Sequence, residues 1–219
     1  MLTLEEIWPP YPLAITEGDL RLTVVRDDDL AEFVAVALDG VHDPERMPFS
    51  TPWTDVDPAE LPASFVRFQW GARSAFTADR FNLMFAVRRA GELVGTQGFS
   101  TEHYALTRTG ETGSWLGRRF HGQGIGTRMR RAVCAFAFDH LGAVQVTSGA
   151  FRDNPSSLAV SRKVGYRPNG VKRLQRRPGE VAENQQLLLT PETFVRGAPI
   201  TVTGAEALQK FVGSGAGGG

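Results

Sequence analysis

Six residues, His121, Gly122, Gln123, Gly124, Ile125 and Gly126, alternate three glycines ahead of Thr127, and five arginines (Arg118, Arg119, Arg128, Arg130, Arg131) flank them. Glycine loses more backbone freedom on folding than any other residue, so this density needs a cause: positive φ, or something that approaches the main chain closely. Upstream, "ETGSWLG" (111–117) reads as a strand. Downstream, Met129, Val133, Phe136 and Ala137 recur at helical spacing. The first N–H groups of a helix are unpaired and carry about half a positive charge, so a strand, glycine loop and helix in succession make an anion cradle. Arginines in a first helical turn are disfavoured by the macrodipole, and a bound polyphosphate would reverse that sign. The chemistry predicted is phosphate binding by main-chain N–H groups from His121 to Thr127.

The kind of phosphate ligand narrows by exclusion. No Lys-Ser/Thr pair follows Gly126, so this is not a Walker loop. The spacing Gly122-x-Gly124-x-Gly126 is not that of a dinucleotide fingerprint, and "AVQVTSGAF" (143–151) ends without the acid that would hold a ribose. Lys+Arg and Asp+Glu balance at 24 each, which argues against a nucleic-acid partner and a charged membrane surface. Cys134 is the single cysteine, so no intrachain disulfide and no multi-cysteine metal site is expected. The N-terminus "MLTLEEIWPP" has acids and prolines where a signal peptide has a basic and then an apolar region. A cytoplasmic protein without metal is the expectation.

"HGQGIG" resembles the acyl-CoA pyrophosphate loop of the GNAT N-acetyltransferase superfamily, Arg/Gln-x-x-Gly-x-Gly/Ala; Gly124 and Gly126 match, and His121 departs from the usual first residue. "NPSSLAVSRKVGY" (154–166) resembles the N-x-x-S-x-x-V-x-x-K-x-G-F/Y element of the ribosomal-protein N-terminal acetyltransferase-like (RimJ/RimL type) branch, with Asn154, Ser157, Val160, Lys163, Gly165 and Tyr166 in place. The resemblance covers about residues 20–192. It implies an N-acetyltransferase that takes acetyl-CoA as cosubstrate and moves the acetyl group to a primary amine, either a protein N-terminus or a small-molecule amine, in a ternary complex. A homodimer is a further implication.

Transfer needs a neutral amine and hence a base, and a donor for the oxyanion that develops on the thioester. The cofactor-binding set implied is Trp115, Leu116, His121, Gly122, Gln123, Gly124, Ile125, Gly126, Thr127, Arg128, Asn154 and Lys163, with a main-chain N–H near Trp115 or Leu116 meeting the oxyanion. Arg131 is a further residue that could face the phosphates. Glu111 is the candidate base, with Glu102 and His103 as competitors and a water relay as another route. Asn154 and Ser157 are expected on the thiol side; relatives often carry a Tyr acid where Ser161 stands here. Phe49, Trp53 and Trp70 are candidates for an apolar acceptor wall. Cys134 reads as a core residue. A different class stays open: a non-catalytic acyl-CoA-binding sensor or interaction module.

The elements that must hold these groups follow the chain. "LRLTVV" (20–25) is a strand, and "DDDLAEFVAVALDG" (27–40) a helix. The proline-rich 43–55 is irregular, and a helix opens near Asp57 and runs to about Ala75. A hairpin turns at Ala90–Gly91. The loop, its helix, the strand 143–151, the helix 154–166 and a strand pair around Pro178–Gly179 complete an α+β domain with a mixed, mostly antiparallel sheet flanked by helices. The predicted division is an N-terminal arm (1–18), the acyltransferase domain (19–196), and a C-terminal extension with a flexible glycine-rich tail (197–219).

Overall fold

In a computed structural model, residues 1–213 are described; the tail from Ser214 onward lies outside them. The chain opens with α1 (Leu4–Ile7), β1 (Ala14–Glu17), β2 (Leu20–Val24), α2 (Leu30–Leu38) and α3 (Leu61–Ser74). The hairpin follows as β3 (Arg80–Arg89) and β4 (Glu92–Glu102), then α4 (Tyr104–Thr107), β5 (Thr109–Leu116) and α5 (Ile125–Asp139). Last come β6 (Gln145–Phe151), α6 (Pro155–Val164), β7 (Arg167–Arg177), β8 (Glu180–Leu189), β9 (Thr201–Thr203) and α7 (Ala205–Phe211).

One nine-stranded sheet takes the order β7-β8-β6-β5-β4-β3-β2-β1-β9. Every neighbouring pair is antiparallel except β5 and β6, which the crossover through α5 makes parallel. Ala90 and Gly91 both take positive φ (48° and 89°), the geometry of the tight hairpin turn that their position predicts. Two findings extend the sequence reading. Residues 14–17, expected in the arm, form β1, with Ile15 buried; residues 201–203 of the extension pair with it as β9. Both strands are too short to show a period of their own, and they are held by pairing at the edge of the sheet.

The sheet is covered on two faces. On one, α5 presents Met129, Val133 and Phe136 to Phe85, Phe99 and Val146. On the other, Phe33 of α2 and Phe65 of α3 pack on Ala86 and Leu93. Successive strand residues therefore alternate between an α5 side and an α2/α3 side, and this alternation sorts the functional residues below.

Gly165 closes α6 in the left-handed conformation, φ 105°, and a Cβ added there would sit 2.0 Å from the Thr193 carbonyl oxygen. Gly165→Ala is expected to destabilise the fold by roughly 2 kcal/mol or more, from backbone strain plus the clash. Chemical denaturation measures it.

Candidate active site

Parallel pairing between β5 and β6 stops early. Thr109, Gly110 and Glu111 pair with Gln145, Val146 and Thr147, after which β5 stays with β4 up to Leu116 and β6 stays with β8 up to Phe151. The two central strands part from Thr112 onward. Ser148 Oγ donates to Thr112 O (3.0 Å) and Thr112 Oγ1 to Thr147 O (3.4 Å), which holds the crotch of the split. A strand turns its main-chain groups to alternate edges. Thr112 O faces β6, and Leu116 O is reached by His121 Nε2 (3.0 Å), whereas Gly117 N–H donates to Val94 O on β4. The amides of Ser114 and Leu116 therefore face the open split, and those of Gly113 and Trp115 face the β4 ladder. Of the two amides expected to meet an oxyanion, that of Leu116 faces the split and that of Trp115 faces β4; the Ser114 amide faces the split deeper in.

The split runs directly into the glycine loop. Gly122 and Gly124 take φ 75° and 77°, and an added Cβ at either would meet nothing within 4 Å. The N–H groups of Gly122, Gln123, Gly124, Ile125 and Gly126 donate to no group of the chain among the described residues. The ends of the expected cradle are already engaged: His121 N–H donates to Arg118 O (3.1 Å) and Thr127 N–H to Gly124 O (3.1 Å). The turn with free amides is therefore residues 122–126. Its shape also depends on side chains. Gln123 is held by Arg89 (2.7 Å) and by Arg119 O (2.9 Å), and His121 by Leu116 O.

Most of the flanking arginines have partners within the fold. Arg128 is paired with Glu17 and Asp19 on the β1–β2 turn (2.7 Å each), and Arg128 and Arg89 hold the Asp19 carboxyl below its ordinary range. Arg119 meets Glu92 (2.9 Å), and Arg131 donates to Lys163 O (2.6 Å). Arg119 and Arg128 take carboxylates from elements far away in sequence and Arg131 takes a carbonyl, so much of the charge that pointed to an anion is engaged inside the fold, and the free amides carry the inference instead. A cavity of about 420 Å³ lies on the other flank of α5, between Arg128, Arg131, Asp139, Arg196 and Ile200, away from the split. Arg196 is paired there with Asp139 (2.6 Å).

Facing β5 across the split is α6. Asn154 caps it, its Oδ1 accepting from Ser157 N–H (3.1 Å) and Ser156 Oγ (2.9 Å). Ser157 is half-buried one turn before the fully buried Ser161, whose hydroxyl donates to Ser157 O and accepts from Arg130 (2.9 Å). Lys163 is exposed at the other end of α6. Gly126, Arg130 and Cys134, four residues apart, form one stripe of α5 along this seam. A Cβ at Gly126 would meet Leu116 and Val160 at 3.7 Å; Arg130 bridges Ser114 (3.0 Å) and Ser161; Cys134 lies 3.5 Å from Tyr166, which bonds Thr112 (2.7 Å). Burial pushes the Cys134 thiol up to about 11, with Tyr166 and Arg130 pulling the other way. Cys134 is thus expected to resist a thiol reagent at pH 8 in the folded protein and to react fully in denaturant, which a colorimetric thiol assay reads. Because the folded state keeps this proton longer than the unfolded chain does, its contribution to stability is complete below pH 9 and is lost as pH rises towards 11.

The opposite face of β5 carries Glu111, Gly113 and Trp115. Trp115 packs against Phe33, Trp53 and Phe65, and Trp53 against Phe49. Glu111 is exposed at the crotch, and between it and Trp115 the Gly113–Gly98 pair leaves a floor without side chains; a Cβ at Gly113 would meet nothing within 4 Å. Phe49 and Trp53 are therefore brought to the site. Trp70 is not: it lies half-exposed on α3, bonded to Asp27 (3.1 Å). Glu102 and His103, at the end of β4, are tied to Arg80 (3.2 Å) and Asp79 (2.9 Å). The sequence reading missed Ser114 and the placement of Arg130. The four-residue spacing of Gly126, Arg130 and Cys134 was the available signal.

Comparison with known proteins identifies the family and the fold. The family model "Acetyltransferase (GNAT) domain" matches residues 19–167. Mycobacterium smegmatis RimJ, solved as a CoA-disulfide complex, superposes with a TM-score of 0.71 at 22% identity, over 93% of this chain and 95% of that one. The ribosomal-protein α-N acetyltransferase RimL in complex with coenzyme A gives 0.62 at 16% identity (80% and 95% covered). A chimeric spermidine N-acetyltransferase, SpeG, from Vibrio cholerae gives 0.60 at 14% (80% and 97%). No helix of the described residues is long and apolar enough to cross a membrane. With the family model covering most of the sheet and the whole of the loop, this chain belongs to the GNAT acetyltransferases, enzymes that draw on acetyl-CoA.

Proposed function

We propose that the protein transfers the acetyl group of acetyl-CoA directly to a primary amine, a protein N-terminus or a small-molecule amine, in a ternary complex. The observation that carries this reading is the continuity of the split between β5 and β6 with the free amides of residues 122–126. The amides of the loop receive the pyrophosphate, and the unpaired edge of β5, at Leu116 and Ser114, receives the amide-bearing pantetheine arm that follows it. The amine enters from the other face, over the Gly113–Gly98 floor between Trp115 and Glu111. Glu111, directly or through a water, takes the proton of the attacking amine. As the C–N bond forms, the carbonyl oxygen becomes an oxyanion, which the Ser114 amide is placed to meet; the C–S bond then breaks and coenzyme A leaves as its thiolate. No covalent enzyme intermediate is needed.

The fold neighbours named for a ribosomal protein and for spermidine show that this architecture serves both kinds of acceptor, so the aromatic wall of Phe49, Trp53 and Trp115 is the stronger guide: it favours an amine carried on an apolar or mixed group. Asn154 acts chiefly as the cap of α6, and Ser157, whose N–H that cap accepts, stands on the thiol side of the site. The reading includes a cytoplasmic location, where a single buried cysteine needs no partner, and a homodimer, which sedimentation measures.

Calorimetric titration with acetyl-CoA tests it, with a nicotinamide dinucleotide as control. Saturable micromolar binding of acetyl-CoA alone, followed by acetylation of an amine or N-terminal peptide, is the expected result. No binding would overturn it. A second reading, a non-catalytic acyl-CoA sensor, is favoured by one observation: the Ser161 hydroxyl is committed to Ser157 O and cannot serve as a free acid. It predicts binding without turnover of any amine.

A further inference from the structure

Arg130 is the one arginine of the loop–helix segment that the fold buries. It is 5% exposed, on the inner stripe of α5, and no carboxylate lies within 4.0 Å of it among the described residues. Its terminal nitrogens donate to two neutral hydroxyls, Ser161 Oγ (2.9 Å) and Ser114 Oγ (3.0 Å), and its Nε is buried without a partner. A buried cation without a counter-ion costs several kcal/mol, and folds seldom keep one unless something else compensates it. Gln97, paired with Ser114 across the β4–β5 ladder, is also fully buried with its Oε1 unpartnered. Two orphaned polar atoms thus flank the residue whose amide faces the split.

The position says what would complete the set. Arg130 lies one helical turn below Gly126, where the seam passes between Leu116 and Val160. It bridges β5 to α6 at the level of Ser114. On the proposed route of acetyl-CoA, the phosphates stop at the loop and the thioester reaches this level. Carbonyl and sulfur separate there: the carbonyl oxygen meets an amide, and the sulfur becomes an anion.

We infer that Arg130 is a catalytic residue which receives the coenzyme A thiolate as its counter-ion, the seam being built to hold a cation for that anion. The inference rests on the acetyltransferase reading and deepens it. In the step, the amine nitrogen bonds to the thioester carbon, the C–S electron pair passes to sulfur, and the thiolate departs paired with the guanidinium, without a proton from α6. The amine proton leaves through Glu111 or water on the other face of β5. The remaining titratable groups on the seam are Cys134 and Tyr166, one turn further along, both held neutral by burial. Ser161, with its proton committed, orients the guanidinium and does not act as an acid.

The test titrates the thiol of coenzyme A bound to the wild-type protein by ultraviolet thiolate absorbance, and repeats it with Arg130→Gln and Arg130→Lys. In the wild type the bound thiol is expected to ionise about one pH unit or more below the free thiol, a tenfold shift. Arg130→Gln is expected to return it to the free value and to lower kcat by ~100-fold with KM for acetyl-CoA within roughly threefold. Arg130→Lys recovers part of both. A wild-type bound thiol that ionises like free coenzyme A overturns the inference while leaving the acetyltransferase reading intact, and needs no variant to fold. So does Arg130→Gln with undiminished kcat. Failure of coenzyme A to bind the wild type at all overturns the reading beneath it.

Discussion

Replacing Gly126 by leucine is expected to leave the protein folded while weakening acetyl-CoA binding by ~100-fold or more, about 2.7 kcal/mol. Gly126 is helical and needs no special φ; its role is the space it leaves. A Cβ there stands 3.7 Å from Leu116 Cδ1 and Val160 Cγ2, ordinary contact, so Gly126→Ala fits and gains up to about 1 kcal/mol in helix propensity. A leucine side chain continues past that contact into the gap between β5 and α6. The two substitutions therefore separate stability from function. Thermal denaturation should rank alanine at or above the wild type, with leucine close to it, while calorimetry shows a steep loss for leucine and a small one for alanine. Equal binding by the leucine variant would mean that the seam is not the ligand's path.

Glu111→Gln is expected to lower kcat by ~100-fold or more at neutral pH and to leave acetyl-CoA affinity unchanged. The Glu111 side chain makes no hydrogen bond among the described residues that would be lost, and it lies on the face of β5 opposite the seam. Its side chain is exposed at the crotch, beside the side-chain-free floor of Gly98 and Gly113. If Glu111 takes the amine proton, the variant also loses the limb of the pH–rate profile that rises with ionisation of the base. A variant that keeps both rate and profile assigns proton removal to water alone. The profile matters, because a merely structural role would lower activity at all pH values alike.

Local order along the chain was legible. Gly124 and Gly126 with the strand before them and the helix after them, the Asn154 cap, the Ala90–Gly91 turn, and the two motifs in sequence define the α+β domain and place the glycine loop. These are short-range signals, each fixed by backbone sterics or helix-end chemistry within a few residues. The strands β1 and β9 escaped notice because only pairing at the edge of the sheet makes them strands.

Charge partners were not legible, and for the same reason. In sequence, Arg128, Arg130 and Arg131 are three similar cations at the start of one helix. In the fold, Glu17 and Asp19 reach Arg128 from the opposite end of the chain, Arg131 caps a carbonyl of α6, and Arg130 alone turns inward beneath the split. Likewise nothing in "GSWLG" distinguishes the amide of Trp115 from those of Ser114 and Leu116 until β4 takes one edge of the strand and leaves the other open. The strand, glycine turn and helix in succession could be read from the residues alone, because glycine dihedrals and helix termini act locally. Which amides are free, which arginine is buried among hydroxyls and which face Glu111 and Trp115 share came only with the folded arrangement, because those depend on what distant strands and acids bring to the same place.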